Sequence, residues 1–270
     1  MLRERVITAL ILLALFLGAL FLLPALGWAA LIIVIVQQGT SEWTRLTKLS
    51  PSTGRVYWYL TLVLMCLLVW FDASSAPGQQ FVPHVAIYVL SLILWMMVPV
   101  WMAVGWKVEQ PVLLMLTGWA LLIPTGLAMM DLRRESPWVL LAVIGLVWVA
   151  DISAYFVGRK FGKNKLAPSI SPGKTWEGVF GALLGVSVYV LLIWLFSGNQ
   201  GYYLFIPNIL IASWCWVGLA VLGDLFESAI KRQAGVKDSG SLLPGHGGLL
   251  DRIDALTSTL PLAALAMLVQ

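Results

Sequence analysis

The residues whose types and spacing could do chemistry lie in two short polar stretches of an otherwise apolar chain. One runs from Gly158 to Gly178 and includes Arg159, Lys160, Lys163, Lys165, Ser171 and Lys174. The other runs from Lys231 and Arg232 through Lys237 and Asp238 to Pro244-Gly-His-Gly-Gly248, then Asp251, Arg252 and Asp254. Asp251 and Asp254, three positions apart at the start of an apolar run, project from one face of a helix. With Asp224 or Asp151 approaching from a neighbouring helix, such carboxylates repel one another unless a cation sits between them. Hard oxygen donors suit Mg²⁺. Mg²⁺ in turn suits a nucleoside triphosphate, whose remaining charge the surrounding Lys and Arg side chains can neutralise. His246, set among glycines, can donate to a phosphate or titrate. Zinc fits poorly, because no second His or Cys is near it.

The Gly173-Lys174-Thr175 run invites a phosphate-loop reading, but that motif needs a glycine where Pro168 stands. What survives is a basic, glycine-rich loop in which Ser171-Pro172 signals entry into a helix, and helix N-termini attract phosphate. The plain alternative is a loop that only anchors topology. Asp151 and Asp224 each lie inside an apolar run, with Glu227 about one turn beyond Asp224. An ionisable group there costs about several kcal/mol unless it faces a cavity or a partner, so function is the default reading. The competing reading is that Asp224 or Glu227 merely pairs with Lys231 or Arg232 along the helix.

The elements that must position these groups follow from composition. The 270 residues are 60% hydrophobic and 11% charged, with mean hydropathy +0.90. Soluble domains carry about 25% charged residues, so the solvent here is mostly lipid. Continuous rather than alternating apolar runs select helices. The chain is therefore all-α, a polytopic transmembrane protein of about nine spans near 6–23, 25–47, 56–71, 82–104, 110–129, 137–158, 175–197, 205–230 and 252–269. The third run reads as short, and the first as an uncleaved helix rather than a signal peptide. With the N-terminus cytoplasmic and the spans alternating, all of the 17 basic residues except Arg133 and Arg134 fall on the cytoplasmic side, together with both polar stretches. Cys66 and Cys215 read as small buried hydrophobes and His84 as a partnerless structural residue. The first spans read as nearly free of buried charge. Residues 1–130 are then a scaffold and candidate dimer region, and 131–270 a catalytic region with cytoplasmic loops 159–174 and 231–251.

The run Ser228-Ala-Ile-Lys-Arg-Gln-Ala-Gly-Val-Lys-Asp-Ser-Gly-Ser-Leu-Leu-Pro-Gly-His-Gly-Gly-Leu-Leu-Asp-Arg-Ile-Asp254 resembles the signature of the phosphatidate cytidylyltransferases, also called CDP-diglyceride synthases. Ser171-Pro-Gly-Lys-Thr-Trp-Glu-Gly178 and Asp151-Ile-Ser-Ala-Tyr are also similar to that family. The resemblance implies transfer of CMP from CTP to phosphatidic acid, giving CDP-diacylglycerol and pyrophosphate for phospholipid biosynthesis, with Mg²⁺ required and K⁺ able to share the site. It implies Asp224, Asp251 and Asp254 as metal ligands. Lys231, Arg232, Lys237 and Arg252 become candidates for the triphosphate and the lipid phosphate, with Lys174 reaching in from the other loop. Ser171, Asp238, Gly247, Gly248, Asp151 and His246 complete the expected site. CTP, phosphatidic acid, membrane lipids and a second copy of the chain are the expected partners, and nucleic acid is not. The compact length and short loops suggest a bacterial inner membrane, with the site on its cytoplasmic face.

Two other classes compete. A transporter would also place acids inside helices, but the polar residues here cluster at one face and no paired halves are visible. A lipid kinase or another CTP-using lipid enzyme is the nearer rival. The alcohol phosphotransferases need an Asp-Gly…Ala-Arg pattern that is absent.

Overall fold

A computed structural model describes residues 2–76, 78–105, 108–196, 206–242 and 247–269. In these, the chain forms α1 (Leu2–Leu22), α2 (Ala25–Leu46), α3 (Pro51–Ser74), α4 (Phe81–Val104), α5 (Pro111–Glu135) and α6 (Pro137–Phe161). A hairpin of β1 (Lys165–Ala167) and β2 (Ser171–Thr175) follows, then α7 (Trp176–Phe196), α8 (Ile206–Ala234) and α9 (Leu250–Leu268). Six of these helices, α3 to α8, are long and apolar enough to cross a membrane, which makes this an integral membrane protein. The α2 run carries Gln37, Gln38, Glu42 and Arg45, and α9 carries Asp251, Arg252 and Asp254, which dilutes their hydropathy.

Local chemistry sets the boundaries. Pro stands in the first turn of α3, α5 and α6, and the Ser50 and Ser136 hydroxyls cap α3 and α6. Gly105 closes α4 in the left-handed conformation, φ 68°. Pro261 inside α9 cannot donate to the carbonyl of Thr257, and the Trp95 indole of α4 donates to that oxygen instead, at 3.1 Å. The α6–α7 pair is close because Gly181 lies on Val157 and Gly185 on Ser153, where a Cβ would collide. Helix α5 is the most enclosed of the six apolar spans, packed between α2, α4, α6 and α9.

Several expectations need correction. The third run is not short: α3 spans 24 residues, and Asp72 lies within it. Asp131, Arg133 and Arg134 belong to the last turns of α5 rather than to a loop. Cys66 and Cys215 are exposed on the helix surface, where their modest polarity is tolerated by lipid. Ser171-Pro172 does not start a helix but lies in a strand, and α7 begins at Trp176 with the Thr175 hydroxyl capping the Gly178 amide at 3.2 Å. The first five helices do carry buried charge, since Glu42 and His84 are 0% and 1% exposed. Nor is His84 without partners, for its ring nitrogens face Asp72 and Asp131 at 2.9 and 2.8 Å.

Candidate active site

Helix α8 presents Asp224, Glu227 and Lys231 at helical spacing, so the three share one stripe. Its rotation is set from the opposite side. Phe226, 2% exposed, is packed by Trp43, Trp95 and Trp101, with ring centroids 6.5, 5.6 and 5.1 Å away. Burying that ring turns the polar stripe toward α9 and the hairpin.

Two lysines neutralise the stripe. Lys174 of β2 reaches Asp224 with 2.6 Å between Nζ and Oδ2. Lys231 bridges Glu227 at 2.8 Å and Asp251 of α9 at 2.5 Å. The other oxygen of Asp251 accepts from the Ser239 amide and hydroxyl, both at 2.9 Å, and from the Gly248 amide at 2.8 Å. Gly247 makes this turn possible: its φ of 83° lies in the left-handed region, and a Cβ there would meet the Asp251 carboxylate. One turn along α9, Asp254 senses Asp224, Glu227 and Asp151, so four carboxylates share one neighbourhood. Oε1 of Glu227 is buried and receives no amide, ammonium or guanidinium donor among the described residues, with the Asp254 carboxyl beside the Glu227 side chain.

The hairpin that delivers Lys174 is held at both ends. Lys165 pairs with Thr175 and Ala167 with Ser171. At its base the Glu177 carboxylate accepts from the Asn164 side chain at 2.8 Å, and the Trp176 amide donates to the Asn164 carbonyl at 3.0 Å. At its tip, Arg232 of α8 donates to the Ile170 carbonyl at 3.2 Å. The two polar stretches therefore meet, and Arg232 takes part in joining them.

The structure adds two residues that sequence reasoning missed. Glu42 of α2 accepts from the amides of Leu249 and Leu250 and from the Ser239 hydroxyl, each at 2.9 Å. Ser239, 4% exposed, links Glu42 to Asp251. The rule that singles out Asp151 and Asp224, an acid inside an apolar run, also selects Glu42. Ser239 gives no such signal, since a serine in a polar loop is unremarked until its neighbours are known.

The other expected site residues distribute as follows. Asp151, Lys237, Asp238 and Arg252 are exposed, and Asp151 senses Asp224, Lys174 and Arg252. Gly248 packs so closely on Ser239 and Glu42 that no Cβ fits. His246 lies outside the described residues. Asp224, Asp251 and Asp254 do not bring their oxygens into one ligating cluster. Among the described residues the trio that does, with ligand atoms within 4.8 Å, is Asp72, His84 and Asp131. It lies where α3, α4 and α5 meet, with Tyr88 donating to Asp131 at 2.7 Å and Arg134 to Asp72 at 3.0 Å.

A family model described as the cytidylyltransferase family matches residues 3–269. The chain is 36% identical over 284 residues to a phosphatidate cytidylyltransferase of Haemophilus influenzae, covering 97% of this chain and 96% of that one. It is 37% identical over 275 residues to a phosphatidate cytidylyltransferase of Pseudomonas aeruginosa, covering 98% and 96%. Against the protein of that name from Thermotoga maritima, identity is 43% over 129 residues, 46% of each chain.

Proposed function

The chain belongs to the cytidylyltransferase family, and from that premise we propose that it transfers CMP from CTP to phosphatidic acid. The products are CDP-diacylglycerol and pyrophosphate, in phospholipid biosynthesis. The observation that carries the reading is a coincidence of two facts: relatives of that name align over nearly the whole chain, and Lys174, Asp224, Lys231 and Asp251 converge at one end of the helix bundle.

The reaction asks little of a base. A lipid phosphate monoester is largely dianionic near neutral pH, so its oxygen can attack the α-phosphorus of CTP directly as the bond to pyrophosphate breaks. The difficulty is holding two polyanions in line, and fixed cations solve it by positioning and charge stabilisation. Lys174, Lys231, Arg232, Lys237 and Arg252 take this role, with His246 as a further donor. Ser171, Asp238, Gly247 and Gly248 shape the surrounding loops, and Asp151 borders them from α6.

The acids have the donor chemistry for a divalent cation, although Asp224, Asp251 and Asp254 do not gather their oxygens into one ligating set in this structure. The ammonium of Lys174 rests on Asp224, and that of Lys231 rests between Glu227 and Asp251. These oxygens thus already accept positive charge. Asp224, Asp251 and Asp254 would hold Mg²⁺, with K⁺ able to share the site. When bound, the metal neutralises triphosphate charge. Lys174 and Lys231, now on Asp224, Glu227 and Asp251, are the side chains that would be available to the phosphates if a metal took over those carboxylates.

The same reading has nine spans, a cytoplasmic N-terminus and a site on the cytoplasmic face of a bacterial inner membrane, where CTP is available. It is supported by the segregation of basic residues and by the bacterial relatives. Residues 131–270 supply most of the chemistry. Residues 1–130 serve as scaffold and dimer surface, with exposed apolar side chains along α3 such as Val56, Leu60 and Val63.

The test is incorporation of label from CTP into lipid by purified protein with phosphatidic acid and Mg²⁺. Asp224→Asn and Asp251→Asn should abolish it. A well-folded wild type that labels no lipid across several lipid phosphates would move a lipid kinase or a transporter to the front.

A further inference from the structure

Glu42 is a fully buried acid in the half of the chain without the signature motifs, and among the described residues it has no Lys or Arg partner. A carboxylate in that position survives only if hydrogen bonds replace its hydration. Three donors do so, the Gln38 side chain and the amides of Leu249 and Leu250, and the Ser239 hydroxyl is shared between this carboxylate and Asp251, all at 2.9 Å. Two of them are the amides at the start of α9. That helix has no side-chain cap of its own, since Leu249 occupies the cap position. A negative charge is favourable against those unpaired amides. Glu42 thus caps, from α2, a helix about 200 residues later in the chain.

The contact extends to the candidate active site. Gly240 and Gly248 flank the carboxylate so closely that a Cβ on either would press on it. Ser239 stands between Glu42 Oε2 and Asp251 Oδ2, 2.9 Å from each. Its single hydroxyl proton can satisfy only one of them at a time. The Ser239 amide, fixed by the same arrangement, donates to Asp251, and Asp251 holds Lys231 at 2.5 Å. The path runs from α2 through Ser239 and the start of α9 to Asp251, a candidate ligand for the Mg²⁺ that accompanies a triphosphate, and to Lys231, a candidate for the phosphates.

We propose that Glu42 is a positioning residue for the triphosphate side of the site, acting through Ser239 and the first amides of α9 to fix Asp251 and Lys231. The proposal rests on the cytidylyltransferase reading. Glu42 touches neither substrate; it sets where the groups that do so stand.

Glu42→Gln keeps the volume but turns one acceptor oxygen into an NH₂ facing amide and hydroxyl donors. Partners of this kind are worth about 10–100-fold in affinity or activity. The variant should therefore lose about 10–100-fold in kcat/KM for CTP, mainly through KM. KM for phosphatidic acid should stay within about twofold, and the rise in melting temperature on adding CTP should shrink. Ser239→Ala leaves the α9 amides on Glu42, breaks only the bridge, and decides the matter if Glu42→Gln does not fold. It should melt near wild type with a raised KM for CTP. A purely structural role would reduce the amount of folded enzyme while leaving KM for CTP and the CTP-induced stabilisation unchanged; that result in both variants, or in Ser239→Ala alone if the other is unfolded, overturns the proposal. Wild type that makes no lipid product refutes the enzyme reading instead, and CTP-induced stabilisation of wild type against variants still judges Glu42.

Discussion

Replacing Lys231 by Met should destabilise the protein sharply, for a reason the geometry makes explicit. The Lys231 ammonium lies between Glu227 and Asp251, and the three side chains are 12, 7 and 5% exposed. Asp251 keeps the Ser239 and Gly248 amides when the ammonium goes, with the Ser239 hydroxyl shared with Glu42. Glu227 keeps no such donor, because among the described residues its remaining neighbour is another acid, Asp254. Breaking a buried pair from one side costs about 3–5 kcal/mol. At about 2–4 °C per kcal/mol for a chain of this size, the melting temperature should fall on the order of 10 °C. Thermal melting in detergent, followed by size exclusion, measures this directly. The double variant Lys231→Met with Glu227→Gln removes the stranded charge as well, so it should recover much of the loss while remaining inactive. A single variant melting within about 2 °C of wild type, or a double variant no more stable than the single, would refute the reasoning.

Lys174→Ala should behave in the opposite way. Its pair with Asp224 is 24 and 32% exposed, so stability should change by less than about 1 kcal/mol, while CTP-dependent labelling of lipid falls at least about tenfold. Gly248→Ala puts a Cβ onto Ser239, Glu42 and the Gly240 backbone, and should lower both the melting temperature and the activity, by about 1–3 kcal/mol in stability. His84→Ala leaves Asp72 and Asp131 facing each other with Arg134 as remaining cation, and should cost about 3 kcal/mol of stability while KM for CTP is unchanged. Because both nitrogens of His84 face carboxylates and Arg134 lies beside them, adding Zn²⁺ should not raise the melting temperature; a marked rise would show that the trio holds a metal.

Much of this protein was legible in the chain itself. Apolar runs long enough to cross a bilayer leave the backbone little choice but helix, so the nine helices among the described residues lie close to where the runs predict them. The chemistry-bearing stretches were legible too, because a charge inside an apolar run is costly enough to need a reason. Errors fell where polarity changes gradually. Ser171-Pro172 carries a helix-entry signal, yet pairing of Ala167 with Ser171 and the bond from Arg232 to Ile170 favour a strand. Asp131 and its neighbours look like a loop, yet their charges pair within the ends of α3, α4 and α5.

Composition and spacing therefore determined the solvent, the helices and the residues worth suspecting, since these depend on local hydropathy and on the cost of burying charge. Tertiary structure decided which acid meets which base. Asp224 takes Lys174 rather than a lysine on its own helix, and Asp251 takes Lys231. It also decided that Glu42, from the half that reads as scaffold, caps α9. Such pairings depend on how helices distant in sequence rotate and dock, which the burial of Phe226 among three tryptophans governs and no local pattern encodes.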